Sequence, residues 1–139
     1  MDRQEVIAKI ISLRLPETKY VVVGGAALSI RGLRDTDDID LVVTPELFES
    51  LSQSGWSNKI RPNGKPGLRH DRFEAYLDVN AEEFARSTSW LIENADMIHG
   101  IPCVDLEPLL SWKRAYGRDK DLLDVKMLET LGRGQGKRE

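Results

Sequence analysis

Cysteine, histidine and long apolar segments are scarce in this sequence of 139 residues. The one cysteine, Cys103, cannot form an internal disulfide, and the two isolated histidines, His70 and His99, provide no zinc-binding pattern. No apolar run approaches the roughly 20 residues that a membrane-spanning helix requires. The first ten residues, MDRQEVIAKI, lack the apolar core of a secretory signal. We therefore expect a protein of the reducing cytoplasm that does not associate with membranes.

The charge balance and the length set further bounds. Twenty basic and 23 acidic residues give a net charge of −3, which argues against a generic nucleic-acid coat. Hydrophobic residues make up 40% and charged residues 31%, as in ordinary globular proteins. The length is that of one domain, which we place at residues 1–131. Residues 132–139 are rich in glycine and basic residues and are expected to form a disordered tail.

Helical and strand patterns alternate irregularly along the chain. Apolar and β-branched runs predict strands at residues 20–23, 38–43, 56–60 and 73–80 and a hairpin at 96–104. Helical spacing and capping residues predict helices at residues 2–14, 45–53, 105–116 and 118–131, and helical turns at 26–31 and 81–88. Residues 61–72 hold two prolines and two glycines and are predicted to be a loop. We expect an α+β, two-layer domain with a small mixed sheet, flanking helices and C-terminal helices.

The sharpest pattern is the Asp-Ile-Asp-Leu motif at residues 38–41. Residues two apart on a strand point to the same face, so Asp38 and Asp40 should project together, with Cα atoms roughly 6.6 Å apart at about 3.3 Å of rise per residue. Two such carboxylates repel each other unless a cation lies between them, and hard oxygen ligands select Mg²⁺ or Mn²⁺. Asp78, an acid between apolar residues in a later predicted strand, is the candidate third ligand, and three acids can hold two metal ions. The structural alternatives are a solvated turn for the first pair and a water-facing edge position for Asp78.

A second pattern precedes the acids. Residues 21–27, VVVGGAA, read as a strand, two glycines and the start of a helix. Gly24 and Gly25 can form a nest of backbone N–H groups that binds an anion, or simply a tight turn. The spacing is neither that of a Rossmann fingerprint nor that of a P-loop.

Together these motifs resemble the DNA polymerase β-like nucleotidyltransferase superfamily, whose signature is an apolar strand, Gly-Gly or Gly-Ser, and then Asp-apolar-acid-apolar, with a third acid on a later strand. The corresponding segments here are residues 23–25, 38–41 and 77–79. Residues 34–41 and 113–124 look like the minimal, antibiotic-modifying and toxin–antitoxin-related branches. The resemblance covers about residues 19–131. One departure is Gly25, where members of the family often have serine, so backbone N–H groups would have to contact the phosphate there.

The resemblance implies transfer of a nucleoside monophosphate from an NTP to an acceptor hydroxyl, with Mg²⁺ assistance and release of pyrophosphate. It implies that Asp38, Asp40 and Asp78 are catalytic metal ligands and that Gly24 and Gly25 hold phosphates. These families often place a nucleotide-phosphate lysine near residues 113–120, for which Lys113 is the candidate; a surface position on an amphipathic helix is the alternative.

Several questions stay open at the level of sequence. The acceptor can be a small molecule, a protein or an RNA 3′ end, and a homodimer or a partner protein is compatible with so small an enzyme. Residues 61–72 are either a plain connector or a basic flap over an anionic ligand. Two other functional classes remain. One is a non-catalytic nucleotide-binding or toxin–antitoxin partner protein with the same fold, and the other is an RNA-binding module that uses this loop and the basic tail.

Overall fold

The computed structural model describes residues 1–80 and 85–136. The chain forms two compact units. Unit 1 comprises Met1–Val79 and Arg86–Val104. Unit 2 comprises the remaining residues, of which Asn80, Ala85 and residues 105–136 are described. The interpretation of residues 1–131 as a single domain stays a prediction.

Unit 1 is built on a seven-stranded mixed sheet within the described residues. Its strands are β1 (Tyr20–Val23), β2 (Ile39–Val43), β3 (Ser57–Ile60), β4 (Pro66–His70), β5 (Phe73–Tyr76), β6 (Asp96–Ile98) and β7 (Ile101–Cys103). Its helices are α1 (Arg3–Leu13), α2 (Gly24–Ser29), α3 (Pro45–Gln53) and α4 (Thr88–Glu93). The strand order is β3-β4-β5-β2-β1-β7-β6. The β2–β5 and β1–β7 pairs are parallel and the other pairs are antiparallel, so the predicted mixed sheet with flanking helices is confirmed.

The centre of the sheet carries the core. All four residues of β1 are buried, as are the four apolar residues of β2. β-Branched side chains fit such a pleated surface well, which explains why a continuous valine run forms a central strand. Helices α1 and α3 add apolar side chains to the same core, namely Val6, Ile10, Leu47 and Leu51.

Local signals set the helix ends. The Asp2 carboxylate accepts a hydrogen bond from the Glu5 amide and caps α1, and the Thr44 hydroxyl accepts one from the Leu47 amide and caps α3. Pro45 occupies the first turn of α3, where a missing N–H costs nothing. These starts were predicted and are confirmed.

The predicted loop at residues 61–72 is wrong for residues 66–70, which form β4 between β3 and β5. Residues 61–65 make the turn from β3 to β4, where the Arg61 amide donates to the Lys65 carbonyl and Gly64 has a positive φ of 82°. Pro66 is tolerated because it is the first residue of its strand, and Leu68 is fully buried. Pairing on both edges of β4 overrides a composition typical of loops.

The strand predicted at residues 73–80 is shorter than expected, since β5 ends at Tyr76. The predicted hairpin at residues 96–104 is confirmed by the antiparallel pair of β6 and β7. The predicted helical turns at 81–88 fall partly on residues 81–84, which lie outside the described residues.

Unit 2 contains two packed helices, α5 (Leu106–Tyr116) and α6 (Asp119–Gly136), in its described part. Asp105 caps α5, and Gly117 ends it in a left-handed conformation with φ 61°, as its position after the last turn predicts. The predicted tail at residues 132–139 overlaps α6 as far as Gly136, and residues 137–139 lie outside the described residues.

Of the helices in the described ranges, none is long and apolar enough to cross a lipid bilayer.

Candidate active site

The turn from β1 into α2 lies beside the acidic motif. Val23, the last residue of β1, is the register partner of Asp40 in β2. Gly24 follows with a positive φ of 65°, and a Cβ atom there would lie 3.0 Å from Asp40 Oδ2. Glycine is therefore required both for the backbone conformation and for the approach of the carboxylate.

Gly25 is packed from another direction. A Cβ atom at this position would lie 2.8 Å from Thr36 Oγ1 and 2.9 Å from Arg34 Nη2. The guanidinium of Arg34 therefore lies against the turn, in space that a serine side chain would need. This contact accounts for the departure from Gly-Ser and places a cation beside the turn.

Only one acid of the Asp38–Asp40 pair lies within a strand. Asp40 belongs to β2, whereas Asp38 is exposed and immediately precedes the strand. The Thr36 hydroxyl donates to the Asp38 carbonyl at 3.0 Å and fixes this approach to the strand. The negative charge of Asp38 is one of the causes that raise the pKa of Asp40, which means that the two carboxyl groups interact.

Asp40 is the electrostatic centre of the site. Its Oδ1 atom is buried and has no hydrogen-bond partner among the described residues. Burial, followed by the negative charges of Glu74 and Asp38, raises the pKa of Asp40 to about 7. A buried oxygen without a partner is costly, and a bound cation would satisfy it.

The acid that lies level with Asp40 on the neighbouring strand is Glu74. The parallel register of β2 and β5 pairs the two residues directly, and the negative charge of Glu74 helps to raise the pKa of Asp40. Glu74 Oε1 accepts a hydrogen bond from Lys59 Nζ at 2.6 Å, and the Tyr76 hydroxyl donates to Glu74 Oε2. Burial alone would raise the pKa of Glu74, but these two hydrogen bonds and the charge of Lys59 hold it below its usual value.

Asp78 lies two residues beyond the end of β5, and the prediction that it joins Asp38 and Asp40 as a third metal ligand stays a prediction. Its carboxylate accepts hydrogen bonds from Lys65 Nζ at 3.1 and 3.2 Å and lies 3.7 Å from Arg61 Nη1. These contacts tie Asp78 to the β3–β4 turn.

Alternation along residues 73–78 could have indicated Glu74, because residues 74, 76 and 78 share one face of an extended chain. Alternation does not say which of the two acids lies level with Asp40. That depends on the pairing of β2 with β5, which are far apart in the sequence.

Lys113 lies in unit 2 and is buried. Its Nζ atom is 2.8 Å from Asp124 Oδ2 and 3.7 Å from Asp121 Oδ1, so two carboxylates of the same unit surround it. The alternative interpretation, that Lys113 lies on the surface of an amphipathic helix, is therefore wrong. Contact of Lys113 with a nucleotide stays a prediction.

The acidic residues at the site offer carboxylate oxygens, which are ligands that suit Mg²⁺ or Mn²⁺. Asp40 Oδ1 is available as such a ligand, because it accepts no hydrogen bond within the described residues. Among residues 1–80 and 85–136, no group of three or more Asp, Glu, His or Cys side chains is arranged to hold a metal ion. Both oxygens of Glu74 are engaged by Lys59 and Tyr76, so Asp38 and Asp40 are left as the candidate ligands, and their binding of a metal ion stays a prediction.

Comparisons with known proteins address the fold. Neither a protein-family model nor a curated protein matches the chain. The structure is similar to the crystal structure of a putative nucleotidyltransferase from Thermotoga maritima, with a TM-score of 0.55 and 21% sequence identity. The similarity covers 99% of this chain and 96% of that chain. The chain thus has a nucleotidyltransferase-like fold, and the predicted fold class is confirmed. The branch of the superfamily stays a prediction.

Proposed function

We propose that the protein is a metal-dependent nucleotidyltransferase that moves a nucleoside monophosphate from an NTP to an acceptor hydroxyl and releases pyrophosphate. The observation that carries the proposal is the buried, unpartnered Asp40 oxygen beside the turn of Gly24 and Gly25. This arrangement occurs on a nucleotidyltransferase-like fold.

The chain's own residues divide the work as follows. Asp38 and Asp40 would hold Mg²⁺ or Mn²⁺, and a bound cation would supply neutralisation of the negative charge on the triphosphate. The backbone N–H groups of Gly24 and Gly25 would contact the β and γ phosphates. Arg34, which packs against Gly25, adds a fixed positive charge at the same turn. Catalysis would rest on positioning and on charge neutralisation.

In this proposal the acid that lies beside Asp40 is Glu74 rather than Asp78. Glu74 is paired with Asp40 and is held ionised by its partners. Asp78 retains a structural role at the β3–β4 turn, where it interacts with Lys65 and Arg61.

A transfer assay with matched variants tests the proposal. The protein is incubated with each labelled NTP, Mg²⁺ and a cell extract that contains small molecules, proteins and RNA, and the labelled product is identified. Asp40→Asn should lower transfer by at least about 10²-fold, the size typical of losing one preorganised electrostatic group. Asp37→Asn is the control, because Asp37 is exposed and lies in the same segment.

Three outcomes separate the functional classes. Transfer that Asp40→Asn leaves unchanged contradicts the proposal. NTP binding without labelled product identifies a non-catalytic nucleotide-binding protein. Salt-dependent RNA binding that is insensitive to Mg²⁺ and to Asp40→Asn identifies an RNA-binding module.

A further inference from the structure

A lysine from the edge of the sheet reaches the acidic site across an intervening strand. Lys59 lies on β3 and Glu74 on β5, with β4 between them. The β4 residue between Lys59 and Tyr76 in the register is Gly67. A Cβ atom on Gly67 would lie 2.9 Å from Tyr76 Cε1, so a larger residue would displace the ring. Because Gly67 has no side chain, Lys59 and Tyr76 can both reach Glu74 across β4.

Lys59 and Tyr76 occupy both oxygens of Glu74. Lys59 Nζ binds Oε1 at 2.6 Å, and the Tyr76 hydroxyl donates to Oε2. The side chain of Glu74 is only 14% exposed, so water competes weakly for these oxygens. A cation that bound Glu74 would therefore have to compete with the ammonium group of Lys59, which is already bound there.

Lys59 is bound next to Asp40 as well. Asp40 and Glu74 are register partners on β2 and β5, and Lys59 Nζ binds Glu74 Oε1. The ammonium group is therefore held by the acid that lies level with the carboxyl group whose Oδ1 atom lacks a partner. A cation at Asp40 and the ammonium group of Lys59 would be attracted by the same negative charges, those of Asp40 and Glu74.

We propose that Lys59 is a positioning residue that competes with the divalent cation for the negative charge of Glu74 and thereby sets the cation affinity of the site formed by Asp38 and Asp40. The inference rests on the proposed function, because it takes this pair as the cation ligands. With Lys59 in place, Glu74 contributes little to cation binding. Without Lys59, its charge becomes available.

The experiment measures Mn²⁺ binding to the full chain without nucleotide, by the electron paramagnetic resonance signal of free Mn²⁺ and by calorimetry. Lys59→Met should bind Mn²⁺ about tenfold more tightly than wild type, at the lower end of the change seen when residues around metal ligands are altered. Structural damage would weaken cation binding, so a gain in affinity would report the loss of the ammonium group itself. Lys59→Gln serves as a second neutral variant if Lys59→Met folds poorly, and Lys59→Arg should keep the wild-type affinity because it retains the charge.

Two comparisons assign the gain to Glu74. The double variant Lys59→Met/Glu74→Gln has the same net charge as wild type and should lose the gain. Lys65→Met is the matched control, since Lys65 lies on the same hairpin but binds Asp78. It should show no gain. The proposal is overturned if the neutral variants bind Mn²⁺ no more tightly than wild type, or if the double variant binds as tightly as Lys59→Met.

The same measurements distinguish this inference from the proposed function. If wild type and the neutral Lys59 variants all fail to bind Mn²⁺, the cation site itself is wrong and both proposals fall. If wild type binds Mn²⁺, Asp40→Asn does not, and Lys59→Met equals wild type, then the cation site stands and only the role of Lys59 is refuted.

Discussion

At the scale of single residues, Asp40 is a carboxyl group in an environment that disfavours its charge. The folded protein surrounds it with two other acids and leaves its Oδ1 atom buried without a partner among the described residues. Each of these features disfavours the ionised form at neutral pH. Such a site is tolerated where a cation is bound during function.

We expect Asp40→Asn to stabilise the metal-free protein more at high pH than at low pH. The pKa of Asp40 rises from 3.8 to about 7 on folding, so the folded state holds the proton more tightly. The stability from this proton is complete below pH 3.8 and is lost as the pH rises through about 7. The variant should gain about 0.5–2 kcal/mol over wild type at high pH. Urea unfolding in EDTA at pH 5 and pH 8 measures the difference.

Asp37→Asn, an exposed neighbour, is the control for this series and should show no such pH-dependent gain. An Asp40→Asn variant that is less stable than wild type at both pH values would mean that Asp40 makes structural hydrogen bonds. The solvated-turn interpretation of the motif would then be preferred.

Glu74→Gln and Asp78→Asn should separate the two candidates for the third acid. Glu74→Gln removes a negative charge next to Asp40 and leaves Lys59 unbalanced, so turnover at fixed Mg²⁺ should fall by about 10–100-fold. Asp78→Asn loses contacts to Lys65 at the hairpin turn, where exposed ion pairs contribute little, and should keep turnover near wild type. Steady-state transfer rates of the two variants show which of the two acids contributes to turnover. The opposite order would restore Asp78 to the site.

The sequence was sufficient for one part of the site and not for another. The pairing of Asp38 with Asp40 was predicted from the local spacing of the motif, which can be read without knowing any neighbouring strand. Glu74 and Asp78 share a face by the same rule, so the period alone could not choose between them. The choice depends on how β2 and β5 pair, and that register is set by long-range packing.

At the scale of elements, the β3–β4 hairpin is where composition misled. Its proline, glycine and basic residues are typical of a loop, yet Leu68 is fully buried and β4 pairs on both edges. Strands β1 and β2 and helices α3 and α5, by contrast, followed from β-branched runs and caps that act locally. Elements with strong local signals were predictable, and an element held by its neighbours was not.

Hydrogen exchange without ligand should show two behaviours within residues 61–72. The amides of β4 that pair with β3 and β5 should be protected, because opening them requires breaking the sheet. The amide of Asn63 in the turn should exchange quickly. Rapid exchange throughout 67–70 that slows only with Mg-NTP would instead support a flap that orders on binding. For the turn itself, a flap role stays a prediction.

At the scale of the whole molecule, the strand order creates the site from distant parts of the chain. β2 lies between β1 and β5, so the glycine turn approaches Asp40 from one side and Glu74 from the other. Lys59 joins the group from the edge strand β3. The sequence contained all these residues, but only the topology shows that they meet.

Unit 2 depends on buried charges within its own helices. Lys113, Asp121 and Asp124 are all buried, and the lysine ammonium lies within 3.7 Å of an oxygen of each acid. A buried ion pair adds little net stability relative to apolar residues, but removing one partner leaves an uncompensated charge. The integrity of this unit should therefore be sensitive to a single substitution.

Lys113→Met should destabilise the protein by about 3–5 kcal/mol, the range for breaking a buried pair by removing one partner. This is a large fraction of the roughly 5–15 kcal/mol that stabilises a typical domain. Lys120→Met is the matched control, since Lys120 is exposed on α6, and its effect should stay within about 0.5 kcal/mol. Urea unfolding followed by tryptophan fluorescence measures both, because Trp112 is buried in α5 beside Lys113.

If Lys113→Met unfolds like wild type yet binds Mg-NTP more weakly, the lysine acts on the nucleotide, as the family resemblance implies. If Lys113→Met unfolds at a lower urea concentration, as expected, and Asp124→Asn does the same, the role of the lysine and its two acids is structural.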